Sequence, residues 1–273
     1  LFKTHPLKLK TKTMKKKHLI LRIQQLSWAA VLLIMVMLVS SAVNKRKTTR
    51  SAREMEVNIE TATEADSSLI TKLEVEELLQ KSFNYSILDS ELKRIDVQRA
   101  ERVLEKNPFV ENADVFIDNR GKINVNLQQR KPVVRVMDGE GRNYYLDAKG
   151  NYMPLSEHHT ARVLVLTGYI RPHEPDFINN PRHMLKNLFE LATILRTDEF
   201  FHHMIEQVHV AQNGDIVFVP KLGKQQILFG KYLNIQEKLQ RLKIFYNEAI
   251  PQEGWTKYKQ IDIRFRNQIV CKK

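Results

Sequence analysis

The sequence predicts an α+β protein: one N-terminal transmembrane helix, a small three-stranded module, then a larger mixed β domain with packed helices. Three observations predict it. Residues 1–53 carry 13 Lys and Arg and no acid, around one uncharged apolar run, while the rest balances 31 cations against 31 acids. Strand-like and helix-like apolar periods then alternate as β-α-α-β-β across residues 55–131. From Pro132 onward, closely spaced short strands and turns are interrupted by two amphipathic helices.

The apolar run Leu26–Val43 has no charged residue, and its length at a helical rise gives roughly 27 Å, close to the thickness of a bilayer core. It predicts a membrane helix at 26–43, between a basic cytoplasmic tail at 1–25 and a polar tether at 44–54. Trp28 suits an interface. A cleaved secretory signal is the alternative, with Ser40-Ser41-Ala42 as a small-residue site, but Lys45-Arg46-Lys47 directly behind it opposes export. Charge alone leaves orientation open. Eight cations precede the run and five follow it, and if translation begins at Met14 rather than Leu1 the flanks become four against five. The basic excess of the chain is thus a property of the anchor, which removes most of a nucleic-acid reading. Cys271 is the one cysteine, so no disulfide forms within the chain.

In the small module, Met55, Val57 and Ile59 alternate on a first strand. Thr71 and Glu74 form a capping box that opens a helix with Val75, Leu78, Leu79 and Phe83 inward. A second helix opens at Asp96, carries Val97, Ala100, Val103 and Leu104, and stops at Asn107-Pro108. Two strands follow, 113–117 and 122–128, joined by Asp118-Asn119-Arg120-Gly121. Two helices over one face of three strands account for this order.

In the larger domain, strands are expected at 133–137, 143–146, 152–155 and 163–166, with turns at Asp138–Gly141 and Asp147–Gly150. A helix is expected from Pro181 to Arg196, with Asn180 as its cap. Strands return at 205–210, 215–219 and 226–229, with Asn213-Gly214 as a hairpin turn. A longer helix spans 235–250. The last strand is read as Lys259–Arg266, with Ile269 and Val270 either extending it or forming one more short strand.

No phosphate-cradling glycine loop, nucleophile elbow or paired-histidine zinc motif is present. His158-His159 and His202-His203 are adjacent pairs whose side chains diverge, so they are read as ordinary histidines rather than metal ligands. Asp147 is read as a turn former rather than a catalytic carboxylate. No enzyme, cofactor or metal is expected.

Several segments resemble the FtsQ/DivIB family of bacterial cell-division proteins. Pro108-Phe109-Val110-Glu111-Asn112-Ala113-Asp114-Val115 is similar to the family's helix-to-strand passage. Arg130-Lys131-Pro132 resembles its junction into the β domain, Leu146-Asp147-Ala148-Lys149-Gly150 its next hairpin, Val165-Leu166-Thr167-Gly168 a strand end, and Ile261-Asp262-Ile263-Arg264-Phe265 a late strand. The resemblance implies a POTRA domain at 55–131 and a β domain at 132–273. It implies an inner-membrane protein with its N-terminus in the cytoplasm and its body in the periplasm, at the division septum. It also implies a non-enzymatic scaffold that binds FtsB/FtsL-type bitopic partners and helps control septal peptidoglycan synthesis. A POTRA-bearing chaperone or translocation component for exported proteins is the alternative. A terminal strand at a sheet edge would offer unpaired backbone groups to a partner. Arg264, Phe265, Arg266, Asn267, Ile269 and Val270 are the expected partner-binding residues, with Phe265 as aromatic anchor and Ile261 and Ile263 assigned to the core.

Overall fold

The computed structural model describes residues 28, 30–41, 51–52, 54–61, 68–83 and 85–273. Residues 28 and 30–41 are helical with exposed side chains. Among the described residues no helix is long and apolar enough to cross a membrane. The basic tail, most of the tether and positions 26, 27, 29, 42 and 43 of the expected span lie outside the described residues. The fold divides into two compact units. One comprises residues up to Met55 with Ser86–Asp96 and Ile117–Ile123, and the other Glu56–Tyr85, Val97–Phe116 and Asn124–Lys273.

A three-stranded sheet has the order β1-β3-β2, with β1 at Glu54–Glu60, β2 at Val110–Ile117 and β3 at Lys122–Gln129. Alternation decides its faces. Ile123, Val125 and Leu127 are buried while Lys122, Asn124 and Asn126 are only part-covered. Helix α1, Lys72–Phe83, buries Val75, Leu79 and Phe83, and α2, Val97–Glu105, buries Ala100 and Leu104. The capping box forms as expected: the Thr71 N–H donates to Glu74 Oε2 at 2.7 Å, and the Glu74 N–H to Thr71 Oγ1 at 3.3 Å.

A nine-stranded sheet follows in the order β12-β11-β10-β9-β8-β7-β4-β5-β6. Its strands are β4 Pro132–Asp138, β5 Asn143–Asp147, β6 Tyr152–Met153, β7 Leu164–Gly168, β8 Ile205–Val210, β9 Ile216–Pro220, β10 Gln226–Gly230, β11 Gln260–Asp262 and β12 Val270–Lys272. The pairs β4/β7, β7/β8 and β10/β11 are parallel and the others antiparallel. Parallel neighbours need long crossovers, and helices supply two of them. Between β7 and β8 run α3, Met184–Thr197, and α4, Glu199–Met204. Between β10 and β11 run α5, Ile235–Glu248, and the short turn α6, Ile250–Glu253. Leu185, Leu188, Leu191 and Leu195 of α3 and Leu239, Leu242 and Tyr246 of α5 join Val134, Leu166, Val208, Phe218, Ile227, Ile261 and Ile263 in one core. Each fully buried aliphatic side chain contributes about 1.5–3 kcal/mol of transfer free energy.

Three turns share one construction, readable as Asp-x-x-Gly. Asp118, Asp138 and Asp147 each accept through Oδ1 from the N–H two and four residues ahead, at 2.7–3.0 Å. The glycine at the fourth place has φ of +86°, +84° and +77° respectively, a conformation that side chains resist. The turn at 211–215 repeats the backbone bonds with Ala211 in the aspartate's place.

The structure shortens the strand expected at 152–155 to Tyr152–Met153 and departs further from the sequence reading in four places. Helix α3 starts at Met184, not Pro181. Asn180 closes a turn, its Oδ1 accepting from the Arg182 N–H, and His183 caps the helix through Nδ1, which accepts from the Leu185 N–H at 3.2 Å. Helix α4 was not expected at all. Asp198 ends α3 and caps α4, accepting from the Phe200 and Phe201 N–H groups. The long helix pauses at Ala249, ahead of Pro251, which has no N–H to continue the ladder. The strand read as Lys259–Arg266 is Gln260–Asp262 only; the chain then turns and returns as β12.

Candidate partner-binding edge

Strand β12 forms one end of the nine-stranded sheet. It pairs antiparallel with β11, in the register Gln260↔Lys272, Ile261↔Cys271 and Asp262↔Val270. Its other side has no strand against it among the described residues. Ile261 and Ile263 are fully buried, which places them in the core as expected.

Asp262 is what ends β11. Its Oδ1 accepts from the Arg264 N–H at 3.1 Å and from Arg264 Nε at 2.9 Å, and its Oδ2 from Nη2 at 2.6 Å. A carboxylate reaching its own chain two residues on competes with the ladder and bends the backbone away. Burial alone would raise the Asp262 carboxyl. The Arg264 guanidinium and N–H outweigh it and hold the group below its ordinary value. The same bond raises Arg264. Arg264 also reaches Asp215 at 3.6 Å, and Asp215 in turn pairs with Lys231 at 3.1 Å. Its aliphatic stem lies over Gly230, where an added Cβ would sit 2.8 Å from Arg264 Cγ. Arg241 fixes the other side of the turn, donating to the Ile263 carbonyl at 3.1 Å and to the Phe265 carbonyl at 2.5 Å. Lys238 anchors the end of β10, its ammonium donating to the Phe229 and Lys231 carbonyls at 3.0 and 2.9 Å.

Arg264, Phe265, Arg266 and Asn267 therefore stand on a turn rather than on a strand. Asn267 takes a left-handed φ of +59°. Phe265 is 45 % exposed and Val270 46 %. Arg266 and Asn267 are exposed, and Ile269 is half-buried against the core. Arg264 is turned back onto Asp262 and Asp215, which makes it a support for the turn. Sequence reasoning missed Asp262, Asp215, Gly230 and Arg241. The aspartate two places before an arginine was a local signal; the other three depend on tertiary contacts.

The remaining sequence candidates have structural surroundings. Asp147 accepts from the Lys149 and Asn151 backbones, from the Asn151 side chain and from Arg130 at 3.0 Å. Arg130 also donates to the Val110 carbonyl at 3.1 Å, so the Arg130-Lys131-Pro132 junction is tied to both Val110 and Asp147. Gly168 closes β7 where an added Cβ would meet the Val210 carbonyl oxygen at 2.1 Å, which explains a glycine after Val165-Leu166-Thr167. His158 pairs with Glu74, and the His202 and His203 rings, expected to diverge, instead meet edge-on at 5.1 Å.

Comparison with known proteins agrees with this architecture. A family model described as FtsQ/DivIB, C-terminal related, matches residues 131–272, and a POTRA-like domain model matches 51–128. A cell division protein FtsQ of Rhodothermus marinus is 27% identical over 184 residues, 63% of this chain and 63% of that protein. The aligned stretch thus spans less than two thirds of that relative's length. The C-terminal match covers more than half of the sequence, and the chain belongs to the FtsQ/DivIB family.

Proposed function

We propose that this chain is a non-enzymatic scaffold of bacterial cell division that docks a partner polypeptide on the open edge at β12. Family membership and the FtsQ relative support the cell-division role. The observation that carries the docking reading is the edge itself: a strand with no second neighbour among the described residues, next to an exposed phenylalanine on a turn that Arg241 and Arg264 hydrogen-bond. Added main-chain hydrogen bonds each contribute about 0.5–1.5 kcal/mol net, and register is set by the side chains alongside. Burial of the exposed half of the Phe265 ring adds about 1 kcal/mol and makes it the anchor. Arg266, Asn267, Ile269 and Val270 flank it, while Arg264 holds the turn.

In this reading the partners are FtsB/FtsL-type bitopic proteins and the work is to help control septal peptidoglycan synthesis. Residues 26–43 anchor the chain in the inner membrane with the N-terminus in the cytoplasm, the body is periplasmic, and 55–131 and 132–273 act as POTRA and β domains. The test is Phe265→Glu in the full chain, with midcell localisation and partner co-purification as readouts. Loss of the partner with the fold intact is expected. Undiminished co-purification would sink the proposal.

A further inference from the structure

At one end of the nine-stranded sheet the strand ends lie in a row, given by the register Asp262↔Leu228, Gly230↔Ile216, Ile216↔Val210 and Val210↔Gly168. The β11–β12 turn stands at the start of that row. Farther along it is a cleft of about 390 Å³ between the start of α3, the 211–215 turn and the end of β10. Arg171, Arg182 and Lys231 line it, with no Asp or Glu among the lining residues. Asn187 adds an amide group, the Asn213 amide being turned onto Asp215, and Leu188 and Ile216 form an apolar floor.

The acids close by are already engaged. Glu190 accepts from the Tyr232 hydroxyl at 2.9 Å and pairs with Lys186 at 3.8 Å, and Glu174 lies 3.6 Å from His183. Asp215 lies between Lys231 and Arg264, so one ion-pair chain joins the cleft to the β11–β12 turn. Arg171 and Arg182 are exposed, and no ion pair is recorded for either among the described residues.

We infer that this cleft is a second docking point, for an acidic extended segment of the same polypeptide that adds to β12. The inference rests on the docking reading of β12 and extends it. Unneutralised guanidinium groups select carboxylates, and their planar forks bind them in pairs. The Asn187 amide and apolar floor match a polypeptide with carboxylates alternating with apolar residues, a pattern that a phosphate or a lipid headgroup lacks. The spacing is also within reach. From β12 to β8 is four strand spacings, roughly 19 Å, which about six extended residues span. Charge at this rim acts mainly on encounter and register.

The experiment places a photocrosslinking amino acid at Asn187 and, in a separate variant, at Val270 of the full chain in cells, and identifies the crosslinked peptides by mass spectrometry. The expected result is capture of one polypeptide at both positions, with the Asn187 peptide rich in Asp and Glu. Arg171→Glu with Arg182→Glu then lowers capture at Asn187 about tenfold, leaves capture at Val270 in place and leaves the melting temperature unchanged. Capture at Asn187 that resists charge reversal, capture of lipid or glycan there, or no capture there overturns the inference. Capture of an acidic segment at Asn187 with none at Val270 overturns the β12 reading and with it the claim of one shared partner. Should the double variant fold poorly, Arg182→Gln alone gives the same readout with a smaller decrease.

Discussion

The two edges of the nine-stranded sheet are finished in opposite ways. At the β6 edge, the strand is two residues long and side chains close it. Met153 is fully buried, and Tyr152, although 47 % exposed, stacks on Tyr144 at 5.0 Å with the His173 ring 5.7 Å away. The turn that leads into it hangs on Asp147 and Arg130. At the β12 edge no strand pairs with the outer side among the described residues, and Val270 is exposed. Sheet edges left open are a liability that proteins ordinarily blunt. In the proposed docking reading the two edges divide two tasks: the first holds the fold, and the second is kept for a partner.

Substitutions at the two edges should therefore move different observables. The largest effect on stability is expected from Asp147→Ala, which removes the acceptor of the turn and leaves Arg130 largely buried without its carboxylate. A loss of about 3 kcal/mol, or roughly 6–12 °C in the melting temperature of the full chain, is expected. A loss below about 1 kcal/mol would show that the closed edge is not a stability device. Arg264→Ala should cost less, about 2 kcal/mol, because it strands the Asp262 carboxylate but the guanidinium it removes is partly solvated. Denaturant titration measures it.

Acid should discriminate next. The Asp262, Asp215 and Asp198 carboxyls are all held below their ordinary value of 3.8. A depressed folded-state value contributes stability that is complete above pH 3.8 and is lost as pH falls through the lower folded value. Melting temperature should fall gently below about pH 6.5, because burial holds the His173 and His202 imidazoles below their ordinary value of 6.5, and more steeply below about pH 4.5, with a shallower acid fall in the Arg264→Ala variant. Equal acid slopes in both proteins would remove Arg264 as the cause. The smallest stability change is expected from Phe265→Glu, within about 0.5 kcal/mol, since the ring is half in solvent. Its effect should fall on partner capture instead. A drop above about 2 kcal/mol would mean that the open edge is also structural.

Much of this was legible in the sequence because it is local. The Thr71–Glu74 box, the Asp-x-x-Gly turns and the alternation of Ile123, Val125 and Leu127 are contacts between residues a few places apart, and each is realised. The errors came where one residue served two elements or where a distant group decided the matter. Asp198 both ends α3 and caps α4, so the pattern around 197–204 shows no break. His183 is an uncommon cap. The apolar alternation Ile261, Ile263, Phe265 suggested one long strand, yet Asp262 bends the chain toward Arg264, and Arg241, more than twenty residues earlier, holds the bend. The six residues expected to meet a partner are near neighbours in the sequence, but their division into turn, support and edge required the fold.

Cys271 lies opposite Ile261 on β12, half-buried, and burial pushes its thiol above the ordinary value. It is the one cysteine of the sequence. A thiol held protonated and partly shielded reacts slowly with alkylating reagents, and faster whenever the strand lifts from β11. The chain thus carries its own clock for the detachment of its last strand. The alkylation rate of the unmodified protein, read with and without a bound partner, counts how often that strand is available and whether an added neighbour holds it down.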